Sequence, residues 1–358
     1  MTEKFYIDSH CLEGLKDFAV SMGFEKFRGD QIYKWIHNRG SENVAEMTDL
    51  SAVIRQKLGE VAAFTVMELV KAQRSELDGS VKVLFRLEDG EHIESVILND
   101  GKRYTACISS QVGCRMGCTF CSTASMGLKR NLTVGEILKQ VKRLNEILSE
   151  QDEKLTNLVF MGMGEPLDNI ENVLEALKVL LDDNGYGFSH RKITVSTCGV
   201  TDSIKRLFSI DTPVNLAVSI NASTQEKRKG IMPISNKFPL AELVKTLKEL
   251  PIQKRKSVTI EYVLLKGVND TIEDAQNLAK LLKGLDRLKV NLILYNAGAE
   301  KEFKAPDQKD ALKFQQYLIN NRIGVFIRKS LGSDIDGACG QLRANYSKKG
   351  GKDGGKTP

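Results

Sequence analysis

The sequence has no stretch approaching the roughly 18–20 consecutive apolar residues of a membrane-spanning helix. Its opening residues, Met1-Thr-Glu-Lys-Phe-Tyr-Ile-Asp8, lack the apolar core of a secretory signal peptide. No internal repeat recurs at a fixed period, which argues against solenoids and propellers. These absences lead us to expect a cytoplasmic chain with no membrane partner. What is present is ordinary for a globular protein: 358 residues, 41% apolar and 27% charged. That length suits one large domain plus a smaller appendage.

The net charge of +6 is mild. Part of it sits in the Gly-rich stretch 347–358, where Lys348, Lys349, Lys352 and Lys356 face only Asp353, a basic tail expected to be disordered. The remaining basicity is therefore weak evidence for RNA. The seven cysteines are Cys11, Cys107, Cys114, Cys118, Cys121, Cys198 and Cys339. An odd count, with Cys107 to Cys121 packed into fifteen residues, is not a secreted disulfide framework. Clustering of this kind points to metal or redox chemistry.

Residues 1–100 read as a small helical module followed by linking strands. Helical patterns cover Leu12–Ala19, Gln31–His37 and Leu50–Leu58, and strand-like runs cover Val66–Val70, Val81–Leu87 and His92–Leu98. From 101 to 346 a β-then-α alternation takes over. Its strand candidates are Tyr104–Ser109, Asn157–Met161, Lys192–Thr197, Val214–Ile220, Ser257–Leu265 and Lys289–Tyr295, with a last one at Gly324–Arg328. Helical patterns between them include Thr133–Leu148, where Thr133 and Glu136 have capping-box spacing and Ile137, Val141, Leu144 and Leu148 share a face. Such alternation predicts an α/β fold with a parallel sheet, wound as an open sheet or a partial barrel.

The strongest chemical signal is Cys114-Arg-Met-Gly-Cys118-Thr-Phe-Cys121, spaced C-x3-C-x2-C just after the first strand of the alternation. Soft thiolates suit an Fe–S cluster or zinc. A structural zinc normally takes four protein ligands. Three cysteines on one loop instead leave a 4Fe–4S cluster with one iron open to a chelating substrate. Buried thiols or a zinc loop are the bland alternatives. Met161-Gly-Met-Gly-Glu165-Pro ends the second strand, and glycines there let backbone approach a ligand closely.

These two motifs resemble the radical S-adenosylmethionine superfamily. The resemblance implies a partial (β/α)6 radical SAM barrel with an N-terminal helical RNA-binding module and a short C-terminal extension. It also implies a 4Fe–4S cluster on Cys114, Cys118 and Cys121 that binds S-adenosylmethionine and cleaves it to a 5′-deoxyadenosyl radical. Gly164 and Glu165 would contact the amino group of that cofactor.

The match narrows with Ser109-Ser-Gln-Val-Gly-Cys114, Val195-Ser-Thr-Cys-Gly199, Ile231-Met-Pro-Ile234, Thr259-Ile-Glu-Tyr-Val263, Gly267-Val-Asn-Asp270 and Asp334-Ile-Asp-Gly-Ala-Cys-Gly-Gln341. From about Phe27 to Tyr346 the chain is similar to the dual-specificity adenine-C2 methyltransferases of 23S rRNA and tRNA. A related branch methylates adenine C8; its Gly-Glu is typically followed by Ala, so Pro166 favours C2. The family implies that Cys339 carries the methyl group as S-methylcysteine. It implies that Cys107 is the resolving thiol, forming a transient disulfide with Cys339, and that Glu94 is the proton acceptor. Ser196, Ser219, Ile220, Asn221 and Asn296 fall where the family contacts the rest of S-adenosylmethionine. One departure stands out: the usual Ser-Leu-His-Ala is here Ser219-Ile-Asn-Ala222, leaving open whether Asn221 acts by side chain or backbone.

The chemistry gives a reason for so many cysteines. Adenine C2 is electrophilic and bears an unactivated C–H bond, so polar methyl transfer cannot reach it. A radical on a protein-bound S-methyl group can add to it, and the covalent protein–RNA adduct then needs a base and a second thiol. Taken singly, Cys107 and Cys339 also have a plainer reading as small buried hydrophobes, as Cys11 and Cys198 do.

The expected partners are 23S rRNA, tRNA and an electron donor of the flavodoxin or ferredoxin type, with the chain itself a monomer. Phe27-Arg-Gly-Asp-Gln-Ile-Tyr-Lys-Trp35 interleaves basic and aromatic residues. Ile32, Tyr33 and Ile36 are expected to pack against neighbouring helices, and Arg28, Lys34, Lys129 and Arg130 are phosphate candidates. A non-catalytic, zinc-containing RNA-binding protein is the rival from another class.

Overall fold

The computed structural model describes residues 4–209, 214–252, 257–285, 287–297 and 303–344. The basic tail at 347–358 lies outside the described residues. The N-terminal module contains α1 (Leu12–Ser21), α2 (Phe27–Tyr33) and α3 (Ala52–Val61), and a short parallel pair, β1 (Phe5–Tyr6) with β2 (Ala62–Ala63), ties its two ends together. Its helices pack closely: a Cβ on Gly29 would lie 2.5 Å from the Lys16 backbone. Ile32, Tyr33 and Ile36 are buried, as the pattern predicts.

Next come three antiparallel strands, β3 (Met67–Arg74), β4 (Val81–Leu87) and β5 (His92–Asn99), leading into β6 (Tyr104–Cys107). A small antiparallel pair follows, β7 (Gln111–Gly113) with β8 (Leu128–Asn131), and the cysteine loop lies between them. Six further strands alternate with helices: β9 (Asn157–Phe160), β10 (Ile193–Thr197), β11 (Asn215–Ser219), β12 (Val258–Leu264), β13 (Leu288–Leu294) and β14 (Gly324–Arg328). The intervening helices are α4 (Val134–Ser149), α5 (Ile170–Leu181), α6 (Thr201–Leu207), α7 (Gln225–Ile231), α8 (Leu240–Glu249), α9 (Ile272–Leu282) and α10 (Gln308–Asn320). The Thr133–Glu136 capping box forms at the start of α4.

One ten-stranded sheet results, in the order β14-β13-β12-β11-β10-β9-β6-β5-β4-β3. From β6 to β14 every pairing is parallel. The C-terminal ends of those strands therefore share one edge, where ligands of α/β sheets gather. The three antiparallel strands continue the same sheet through β5–β6 pairing.

The helical module shares a continuous apolar core with the sheet, from Ile7, Leu15 and Ile32 through Val83 and Val141 to Leu318. Buried Lys139 on α4 reinforces that docking, lying 3.1 Å from Asp8 and 2.9 Å from Glu42. Burial alone would raise the Glu42 carboxyl, but Lys142 and Lys139 outweigh it and hold the group at about 2.

Candidate active site and metal centre

The cysteine loop leaves and re-enters the β7–β8 pair through glycine. Gly113 has φ +76°, and a Cβ there would come within 1.8 Å of the Gly127 carbonyl oxygen. The Cys114 amide donates to that same carbonyl at 2.9 Å, closing the base of the loop. Gln111 then binds the loop to the turn after β9. Its Oε1 accepts from the Glu165 amide at 2.9 Å, and its Nε2 donates to Asn131 at 2.9 Å and Asp168 at 2.8 Å. The Arg115 Nε also donates to Asp168, at 2.9 Å. The two motifs, forty residues apart in sequence, thus form one hydrogen-bonded unit because β6 and β9 are neighbours.

Gly164 stands between them with φ +98°. A Cβ there would be 2.5 Å from the Gln111 Cβ and 2.8 Å from its amide nitrogen, so only glycine fits. Glu165 is buried, and burial raises its carboxyl above the ordinary carboxylate range. Backbone amides oppose that shift: Leu167 donates to Oε1 at 3.0 Å and Cys198 to Oε2 at 2.7 Å.

Cys114 is buried, while Cys118 and Cys121 are partly open. Burial pushes the Cys114 thiol up to about 12 and raises the Cys118 thiol as well, and the neighbouring thiols of the loop add to both shifts. Three thiols that feel one another suit a cubane, which takes one cysteine per iron and here would leave one iron without a protein ligand. Among the described residues no three His, Cys, Asp or Glu side chains converge as ligands of a single metal ion. A cubane does not ask for that convergence. Three thiols on one loop are one ligand short of a structural zinc site and match a cubane with one open iron, so the donor set fits the cluster better than zinc.

One buried cation near these thiols has no counterpart in the sequence reading. Arg228 on α7 is fully buried, and its guanidinium donates to the carbonyls of Ile220 (3.1 Å), Cys198 (2.5 Å), Ser219 and Phe238 (both 3.4 Å). It ties the ends of β10 and β11 together, and its charge acts on Cys118 and Cys198. Its signal in the sequence was hidden in Gln225–Ile231, a short helix with no apolar periodicity.

Ser196 and Ser219 lie half-buried at the ends of β10 and β11, and Ile220 is fully buried. Asn221 has φ +54°, a left-handed conformation that Asn tolerates better than most residues. Its Oδ1 accepts from the Val263 amide at 2.8 Å, and its Nδ2 lies 3.4 Å from the Met232 sulfur. The Asn221 side chain is thus occupied by the protein itself. Asn296 follows β13 and is half-buried.

Cys107 is buried at the end of β6, where burial first, and the Cys339 thiol second, push its thiol up to about 12. The Cys339 residue is exposed, while its thiol is pushed up to about 12 by desolvation first and then by Cys121 and Glu261. The segment around it is fastened to the cysteine loop, with Ser122 donating to the Gly340 carbonyl at 2.8 Å and Thr123 Oγ1 to the Leu342 carbonyl at 2.6 Å. Arg343 donates its amide to Glu94 Oε2 at 2.8 Å. Glu94 is buried on β5, and burial raises its carboxyl, opposed by Lys82 at 3.6 Å and by the Arg343 amide. The fold therefore brings Glu94, Cys107, Cys339 and the cysteine loop to one place.

The phosphate candidates divide. Lys34 is exposed, and Arg28 lies over the Phe27 ring at 4.5 Å. Lys129 is paired with Glu91, and Arg130 with Asp89 and Glu136. The last two are committed within the protein, which the linear sequence does not disclose.

Residues 108–282 match the model of the radical SAM superfamily, and residues 10–64 match that of the ribosomal RNA large subunit methyltransferase N-terminal domain. A Geotalea uraniireducens protein named dual-specificity RNA methyltransferase RlmN is 44% identical over 97% of this chain and 98% of its own length. The protein of that name from Anaeromyxobacter dehalogenans is 46% identical over 93% of this chain and 90% of its own. A crystal structure of a radical SAM methyltransferase from Sphaerobacter thermophilus superposes with a TM-score of 0.89 at 37% identity, covering 95% of this chain and all of that one. The protein is thus a radical SAM enzyme that uses a 4Fe–4S cluster and S-adenosylmethionine, and it belongs to the family of dual-specificity RNA methyltransferases.

Proposed function

We propose that this RNA methyltransferase places a methyl group on C2 of adenosine in the peptidyl-transferase region of 23S rRNA and in the adenosine 3′ of the tRNA anticodon. The observation that carries the reading is the approach of Cys107 and Cys339 beside Glu94, next to the cysteine loop. Cys114, Cys118 and Cys121 hold the cluster, and Gly164, Glu165, Ser196, Ser219, Ile220, Asn221 and Asn296 surround S-adenosylmethionine. Gly164 offers backbone there, and Asn221 serves through its conformation rather than its side chain, which Val263 occupies. Bound together, cluster and S-adenosylmethionine would supply the radical that starts the reaction, and the cluster would take back the one electron left over when C2 loses its proton.

The chain's own residues do the rest. Cys339 carries the methyl carbon and links it to C2. Glu94 takes the proton that leaves C2. Cys107 then forms a sulfur–sulfur bond with Cys339 as the Cys339 sulfur–carbon bond breaks, and the freed carbon takes a proton and remains on the base as methyl. Burial pushes the Cys107 thiol up, so this closure needs a base. Family membership and the absence of a membrane-crossing helix among the described residues support a cytoplasmic site of action. A flavodoxin- or ferredoxin-type reductant and a monomeric chain complete the reading.

Mass spectrometry of nucleosides from RNA treated with the reconstituted enzyme tests it. We expect 2-methyladenosine from both rRNA and tRNA. Finding 8-methyladenosine would move the chain to the C8 branch.

A further inference from the structure

Beyond Ser219, which lines the S-adenosylmethionine site, the inner face of the sheet carries a lateral row to which the chemistry described above gives no part. In the register of β11 to β14, Ser219 pairs with Glu261, Glu261 with Asn291, and Asn291 with Phe326. Strand residues on either side of this row point the other way: Ile260, Tyr262, Val290, Leu292 and Val325 are buried in the core under the helices. Asn291 Nδ2 donates to Glu261 Oε1 at 2.9 Å, so the amide holds one carboxylate oxygen and keeps a second N–H. Phe326 is 57% exposed and belongs to neither apolar cluster. Glu261 lies close enough to Cys339 for its charge to act on that thiol, and the exposed Lys289 and Arg328 flank it.

Glu261 and Arg328 act on the methyl-carrying sulfur, and a side-chain amide, an unpacked aromatic ring and a second cation, Lys289, adjoin that carboxylate; together they have the chemistry of a nucleotide cradle. We propose that Glu261, Asn291 and Phe326 receive the target adenine of the RNA, Phe326 stacking on the ring while the Glu261–Asn291 pair reads its N6 and N1 edge. The inference rests on the adenine-C2 reading above.

An enzyme acting on a ring carbon must take the base out of its stack, and an aromatic platform replaces the lost stacking. Adenine offers an N6–H donor to the carboxylate and an N1 acceptor to the amide. Guanine would set its O6 acceptor against Glu261. The edge that runs N6, N1, C2 brings C2 rather than C8 toward the reading groups, on the side where Cys339 lies. Lys289 and Arg328 are placed to meet the attached phosphates.

S-adenosylmethionine carries the same ring, so the test separates the two sources. The cluster-loaded enzyme is titrated with an RNA hairpin bearing the target adenosine and with one bearing purine riboside, which lacks N6. S-adenosylmethionine affinity is measured separately without RNA. Phe326→Ala should weaken binding of the adenosine hairpin about tenfold, with Phe326→Trp restoring it. Glu261→Gln should weaken the adenosine hairpin and leave the purine hairpin unchanged. S-adenosylmethionine affinity should stay at the wild-type value in every variant.

Loss of S-adenosylmethionine binding with hairpin affinity retained would assign the row to the cofactor's adenosine and overturn the proposal. Equal weakening of both hairpins by Glu261→Gln would overturn it too, by making Glu261 merely structural. A wild-type enzyme that binds and methylates no adenosine hairpin would instead sink the parent reading.

Discussion

The loop that carries Cys114, Cys118 and Cys121 and the segment that carries Cys339 meet at the same edge of the sheet, but they are held differently. The loop is closed by the β7–β8 pair and by Cys114 on Gly127, and buried Gln111 then clamps it to Glu165, Asn131 and Asp168. Its thiols are fixed from within. The Cys339 segment is pinned at its flanks: Asp334 accepts from Ser75 and Glu76, Gln341 donates to Ala297, Gly340 and Leu342 accept from the cysteine loop, and Arg343 donates to Glu94. Cys339 itself lies between these anchors and is exposed. A cluster must not move, whereas a carrier must meet a methyl donor, a base and a second thiol in turn. The two tethering patterns match those two demands.

The comparison breaks first at the cysteines. Replacing Cys114, Cys118 or Cys121 by Ala should abolish both cluster and methylation, since each supplies the only protein ligand to one iron. Iron analysis and transfer of labelled methyl groups read this directly, and full iron with full activity in any one variant would remove the assignment. Cys339→Ala and Cys107→Ala should abolish turnover equally while leaving the Fe–S absorbance intact. Their failures should differ. Without Cys339 no methyl reaches RNA and no adduct forms. Without Cys107 the adduct forms and cannot be resolved, giving a protein–RNA species that survives denaturation and disappears on nuclease treatment. The double variant should lack it.

Much of this was legible in the sequence, for identifiable reasons. The strands from Tyr104 to Arg328 are apolar runs of strand length between amphipathic helices, so their period betrays them. Gly324–Arg328 has the bounds read from sequence, and β9 and β12 differ only at their ends. The cysteine spacing and the Gly-Glu turn are local and carry their chemistry on their face. What stayed hidden depends on register. Glu261, Asn291 and Phe326 are unremarkable in three separate strands and become a row only when those strands pair. Arg228 reads as a surface charge until α7 is folded against the strand ends. In the linear sequence the helices of residues 1–100 read as a small module ahead of the linking strands. The core shared by Ile7, Leu15, Ile32 and the sheet means that their removal would expose apolar surface, so point variants are the sound probe.

A smaller effect sharpens the rigid side of the comparison. Gly164→Ala demands a side chain at φ +98° and pushes its Cβ against Gln111. Strain of this kind costs about 1–3 kcal/mol. The melting temperature should fall, and S-adenosylmethionine cleavage should fall with it, because the Gln111 clamp has to shift. A matching change on the strap, Thr123→Val, removes one hydrogen bond to the Leu342 carbonyl and should cost about 1 kcal/mol. It should leave S-adenosylmethionine cleavage unchanged and slow only RNA methylation. Equal effects of the two on cleavage would mean that loop and strap act as one rigid body.

The finest test concerns the base that stands between them. Burial raises the Glu94 carboxyl, and Lys82 at 3.6 Å and the Arg343 amide pull it back. A proton acceptor works only when ionised, so methylation should fall as the pH drops through the Glu94 pKa. Lys82→Met removes the opposing charge, leaves burial less opposed and should move the acid limb of the rate profile to higher pH; Lys82→Arg should keep the wild-type limb. Stability runs in the opposite sense. Because the folded pKa is raised, the contribution of Glu94 is fully present below its unfolded pKa and is lost as the pH rises through the folded value. Lys82→Met should therefore be more destabilising at neutral pH than in acid, which melting curves across that range would read. An acid limb unmoved by Lys82→Met, in a variant with its full complement of iron, would mean that the proton leaving C2 goes to a group other than Glu94.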